Sequence, residues 1–249
     1  MQRGPVSAGA DVRLAAQLDH VPGEDMWLAT IAGYVDTLGF VALFGLLTAH
    51  VTGNFILIGS ELGGAGNGLL IKWLAFPAFI VGIVGARMLD NGLLAHGPGI
   101  RSCALYVLQT ALLAGYMVAG VLAAPITDAH APLTLACGLL GACAMGVQNA
   151  HGRLVVRSVI PNTVMTGNVT QAAIDIFDLL FSRCDPQQRY VTRARLSRTL
   201  PPVAGFAIGA AAGAAGYLRA SFWALLVPLA ALSVLAVLSR KTGAAQAAI

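Results

Sequence analysis

Asp36, Asn54, Asn149 and Asn168 are the residues of this sequence whose types and settings could do chemistry. Each is an acid or amide set among apolar neighbours. Asp36 lies ten positions into an apolar run that begins at Trp27. An ionised Asp at bilayer mid-depth costs at least about 2.5–3.5 kcal/mol, so it should face protein or water and have a partner. Asn54, Asn168, Gln148 and His50 are the candidate partners. A titrating Asp36 would couple solute movement to protons. A protonated one would make only a structural hydrogen bond.

Two of these residues close a repeated tripeptide. Thr52-Gly53-Asn54 and Thr166-Gly167-Asn168 are each followed, seven residues after the Asn, by a carboxylate: Glu61 and Asp175. Two readings stand. Thr or Asn at a helix start caps exposed N–H groups, worth about 0.5–2 kcal/mol. A helix start aimed into a cavity also offers N–H donors and a positive dipole end to a solute, and the Gly lets it come close. Asn168, Gln171, Asp175 and Asp178 fall on one helix face. That stripe lines a path, or else lies in water at the membrane surface. The expected solute site is therefore Asp36, Asn54, Asn149 and Asn168 with Thr52, Thr166, Gly53 and Gly167. Glu61, Asp175, Gln171, Gln148 and His50 stand behind it in coupling roles.

The rest of the chain must position these groups inside a bilayer. Of 249 residues, 57% are hydrophobic and 10% charged, against about 25% charged in a soluble domain. Six spans can be drawn, at 27–47, 69–88, 102–124, 132–150, 199–218 and 222–238. Residues 1–26 are polar and read as a cytoplasmic arm, not a secretory signal. The loop 182–198 holds Arg183, Arg189, Arg193, Arg195 and Arg198, and Arg153, Arg157, Arg240 and Lys241 fall on the same side. The positive-inside rule then puts both termini in the cytoplasm, with Arg219 dissenting. The net charge of +4 is explained by this topology rather than by nucleic acid. Lys72 and Arg87, near span ends, are expected to snorkel, and Gln109 to bond between helices.

The Thr-Gly-Asn segments fit none of the six spans. Ten residues from Gly53 make only about 15 Å of helix. Two half-helices follow, one from each face, since irregular backbone at depth must be covered by protein or line a cavity. Similarity extends further. Gly33 precedes Asp36 as Gly146 precedes Asn149, and Phe79 opens Phe-Ile-Val-Gly as Phe206 opens Phe-Ala-Ile-Gly. The expected fold is an all-α integral membrane protein of six helices in two inverted repeats, 27–124 and 132–238, within one transmembrane domain, 27–240.

The segments GYVDTLGF, TAHVTGNFILIGSEL, MGVQNA and TVMTGNVTQAA resemble those of the YoaK-like family of bacterial membrane proteins, domain of unknown function 1275. The resemblance implies a bacterial inner-membrane protein and leaves the substrate open. No nucleophile elbow, phosphate loop or zinc motif is present, and Cys103, Cys137, Cys143 and Cys184 have no metal-ligand spacing. The expectation is a transporter or channel for a small solute, with no enzymatic activity, metal or cofactor. The alternative is a non-transporting scaffold or intramembrane enzyme, favoured if the polar cluster is sealed. Gly205, Gly209 and Gly213 form a small-residue stripe that suits packing within the monomer or in a homo-oligomer.

Overall fold

The computed structural model describes residues 21, 23–155, 165–181 and 185–246. The arm up to residue 20, Arg157, Arg183 and Cys184 lie outside them. Among the described residues there are helices and no strand. In order these are α1 (Glu24–Ala42), a 3-10 turn (Val51–Gly53), α2 (Asn54–Leu62), α3 (Leu69–Gly92), α4 (Pro98–Ala123), α5 (Pro132–Leu154), α6 (Met165–Phe181), α7 (Pro186–Ala220), a 3-10 turn (Ser221–Leu225) and α8 (Leu226–Gln246).

Four stretches are long and apolar enough to cross a membrane: Leu69–Gly92, Pro98–Ala123, Pro132–Leu154 and Pro186–Lys241. The fourth takes in both of the last two expected spans. Helix α1 is not among them, because 19 residues carry Glu24, Asp25 and Asp36. The outer surface is apolar along these helices: Val81, Val84 and Met88 on α3, Val118 and Leu122 on α4, and Ile208 and Leu218 on α7 are exposed. Trp27, Trp73 and Trp223 are exposed near helix ends, where indole rings favour the membrane–water boundary.

Three boundaries differ from expectation. Helix α1 starts at Glu24, so residues 24–26 belong to it and not to an aqueous arm; Glu24 is buried. It ends at Ala42, not residue 47, because Phe44 and Gly45 turn the chain back at φ 54° and 79°. The basic segment 186–198, expected as loop, is helical. Asp185 accepts a hydrogen bond from the Gln188 N–H at 2.7 Å and Pro186 fills the first turn, a start that needs no apolar face. Helix α7 continues through Pro201 and Pro202.

The two most extensive helix pairings are α1 with α7 and α3 with α5, and both are written in glycine. A Cβ on Gly33 of α1 would run into the Phe206 carbonyl of α7, and one on Gly146 of α5 into the Phe79 carbonyl of α3. Conversely, Gly209 of α7 backs onto the Thr30 carbonyl, and Gly82 of α3 onto the Cys143 carbonyl. Each of these four contacts has its counterpart in the other pair, at corresponding places in the sequence. The stripe Gly205, Gly209 and Gly213 thus packs within the monomer, against Met26, Thr30 and Tyr34.

Candidate functional site

After α1 the chain turns back along it. Asp36 lies six residues before the end of α1, about 9 Å of helix, yet its Oδ1 accepts from the N–H groups of Thr48 at 2.6 Å and Ala49 at 2.8 Å. The Thr48 hydroxyl stands at 3.4 Å and His50 Nδ1 lies 2.8 Å from Oδ2. The carboxylate therefore pins an irregular segment at the depth of α1's interior. Of the candidate partners, His50 is the one that meets it. The Asp36 side chain is 5% exposed and that of His50 30%, so the pair spans from the protein interior to its edge. The His50 ring also meets Phe206 edge-on at 5.2 Å.

Asn54 begins α2 but does not cap it. Its amide reads both backbone groups of Leu47, accepting from the N–H at 2.9 Å and donating to the carbonyl at 2.8 Å. Thr52 is exposed and Gly53 half-buried against Leu47. Phe55, Ile56 and Leu62 are exposed on the other face of α2. At its far end Glu61 pairs with the Lys72 ammonium of α3, which also donates to the Asn67 carbonyl at 2.7 Å. Lys72 is thus buried and paired rather than snorkelling. The same holds in part for Arg87, which donates to Asp90 at 3.2 Å; Asp90 is fully buried and also bound by Arg101 at 2.6 Å.

Helix α6 repeats the plan. Asn168 and Asp175 are buried and Gln171 half-buried, whereas Val169, Ile176, Phe177 and Leu180 are exposed. Thr166 and Gly167 are exposed. The polar stripe faces protein and the apolar side faces out, the reverse of a helix lying with its stripe in water. Arg195 of α7 donates to Asp175 from Nε at 2.9 Å and Nη2 at 2.5 Å, and Gln171 adds a bond at 2.9 Å. The Arg195 guanidinium holds the Asp175 carboxyl below its ordinary value, over the opposing effect of burial. Glu61 and Asp175 therefore tether each short helix to the long helix that follows it.

Gln148 joins a polar seam in which Gln109 bonds between helices as expected, while the rest of the seam went unforeseen. Gln148, fully buried, accepts from Gln109 at 2.8 Å and donates to the Leu28 carbonyl at 2.9 Å. Toward the start of α1, Glu24 receives the Tyr106 hydroxyl, Tyr106 stacks edge-on with His151 at 4.6 Å, and His151 Nε2 lies 2.9 Å from Ser102 Oγ. All of these side chains are buried. Asn149, next to Gln148, is half-buried. Ser102, Tyr106 and Gln109 at helical spacing, facing Gln148 and His151, were the available signal. Along α1, Ala32 and Val35 separate this seam from Asp36, and they share one buried apolar core with Leu113, Ala144 and Met145. No group of three or more His, Cys, Asp or Glu able to hold a metal occurs among the described residues.

Long apolar helices with lipid-compatible outer faces and buried polar groups define a helical, membrane-like protein. The family model described as "Protein of unknown function (DUF1275)" matches residues 26–238. The chain belongs to that family. No curated protein and no solved structure matches it significantly.

Proposed function

We propose that this chain is a multi-pass transporter or channel for a small solute in the bacterial inner membrane, built as two inverted repeats. The reciprocal contacts carry this reading. Gly33 meets Phe206 as Gly146 meets Phe79. The first helix of each half thus packs on the second of the other, as a two-fold relation between halves requires. With an odd number of crossings per half, that relation inverts one half against the other. Helices α2 and α6 are then half-helices from opposite faces, each with polar residues inward and apolar residues toward lipid.

The solute path runs between the halves, past Asp36 and His50 on one side of Ala32 and Val35 and the Gln148 seam on the other. Asn54 holds the backbone of the path rather than binding solute. Two buried polar zones with apolar residues between them suit a protein that opens to one side at a time. Asp36 with His50 is the candidate proton-coupling pair. The basic residues at the end of α5, the start of α7 and the end of α8 support a cytoplasmic placement of both termini, with Arg219 dissenting. The reading assigns no catalytic activity.

The second reading is a non-transporting scaffold. The enclosure of Asp36 by the Thr48 and Ala49 N–H groups, the Thr48 hydroxyl and the His50 ring favours it. Proton flux into liposomes loaded with a pH-sensitive dye, driven by a potassium diffusion potential, decides between them. The transport reading expects flux in the wild type that falls at least about tenfold, or ~1.4 kcal/mol in barrier, in Asp36→Asn. Wild-type liposomes no leakier than empty ones, across a panel of small ions and polar solutes, would favour the scaffold.

A further inference from the structure

A groove of about 750 Å³ runs between α4 and α8. On α4 it reaches from Cys103 through Val107 and Thr110 to Ala114; on α8 it follows Ser233 and Val237 to Arg240 and Lys241. Its hydroxyls are turned inward to their own helices. Thr110 donates to the Tyr106 carbonyl at 2.7 Å and Ser233 to the Leu229 carbonyl at 2.8 Å. The walls are therefore apolar along their length, and the charge is gathered at one end.

From Cys103 to Ala114 the helix rises about 16 Å, close to half the roughly 30 Å hydrocarbon core. The groove has the length of one leaflet. Some cations near helix ends are taken up by acids. Arg87 and Arg101 are held by Asp90, and Arg195 by Asp175. Among the described residues neither Arg240 nor Lys241 enters an ion pair. We propose that this groove binds an anionic phospholipid, one acyl chain lying along α4 and α8 and the phosphate headgroup meeting Arg240 and Lys241. The proposal requires only that the protein sits in a bilayer. It stands whether or not the protein transports anything.

Each Lys or Arg near an anionic headgroup is worth roughly fivefold in affinity, so the pair gives about 25-fold. The test is native mass spectrometry of the full chain in non-ionic detergent, titrated with dioleoyl phosphatidylglycerol or dioleoyl phosphatidylcholine. The wild type should retain one phosphatidylglycerol with a preference near ~25-fold. The exposed pair change Arg240→Gln with Lys241→Gln should collapse the preference to within about twofold. It should leave phosphatidylcholine binding unchanged. Val107→Trp, which fills the groove, should remove the bound lipid of either kind. Arg193→Gln with Arg198→Gln, exposed on α7, should change nothing. Equal retention of both lipids by the wild type overturns the proposal, as does a preference that survives the Arg240 and Lys241 changes. A dimer that Val107→Trp dissociates would give the groove to a second copy of the chain and overturn it too.

Discussion

The Asn54 amide clamps Leu47 through both of its backbone groups, at 2.9 and 2.8 Å. Leu47 lies in a segment with no regular ladder, so the side chain stands in for the missing backbone partner. This makes Asn54 a fixed part of the fold at the depth where α2 begins.

Asn54→Ala leaves one N–H and one carbonyl of the half-buried Leu47 without a partner, each at the lower part of the ~1–3 kcal/mol that a fully buried group costs. Thermal unfolding in detergent should show a loss of about 2–4 kcal/mol. Asn54→Asp should not restore it, since a carboxylate cannot donate to the Leu47 carbonyl. A stability equal to the wild type in Asn54→Asp would contradict the clamp.

The buried Glu61–Lys72 pair gives a second test. Glu61→Gln leaves an ammonium uncompensated and should cost about 3–5 kcal/mol. Glu61→Gln with Lys72→Met removes both charges and should recover most of the loss, because an apolar replacement of a buried pair is often near neutral. The double variant proving less stable than Glu61→Gln alone would show that the pair is not the tether.

The glycine contacts predict matched behaviour in the two halves. Gly33→Ala and Gly146→Ala each press a methyl on a backbone carbonyl, which cannot yield as a flexible side chain can. Both should destabilise by roughly 1–3 kcal/mol or more. Gly85→Ala on α3, where no atom lies within 4 Å, should be neutral or slightly stabilising. Unfolding midpoints that separate Gly33→Ala from Gly146→Ala by much more than either separates from Gly85→Ala would break the correspondence.

The Asp175 tether has a pH signature. Its folded carboxyl titrates below its ordinary 3.8, so its stabilisation is complete above that value and fades as pH falls through the folded one. Hydrogen exchange of α6 in detergent, corrected for intrinsic rates, should show constant protection from pH 8 to about 5 and a loss only in stronger acid. Loss of protection already between pH 7 and 6 would assign the hold on α6 to another group.

Much of this was legible in the sequence, for identifiable reasons. Four apolar stretches declare themselves by length, and Phe79 with Phe206 mark equivalent places that the fold uses equivalently. Asp36 was legible as a residue in need of a partner, and His50 was among those named. Its real acceptor role was not, because the N–H groups of Thr48 and Ala49 reach it only when Phe44 and Gly45 turn the chain back. Glu61 and Asp175 read as coupling residues behind the path, whereas their partners Lys72 and Arg195 read as a snorkelling and a loop cation. Those pairings depend on helix-to-helix placement that spacing does not encode. The Tyr106–His151 seam escaped because its residues are scattered over three helices, each polar position looking like an isolated exception.

The central claim is that the two Thr-Gly-Asn helices enter from opposite faces. Asn67→Cys, exposed after α2, and Arg193→Cys, exposed on α7, can be placed singly in a chain whose four native cysteines are replaced by alanine. A membrane-impermeant maleimide applied to spheroplasts should label Asn67→Cys at once and Arg193→Cys only after the membrane is permeabilised. Labelling of both in intact spheroplasts, or of neither, would put the two helices on the same side and contradict the inverted plan.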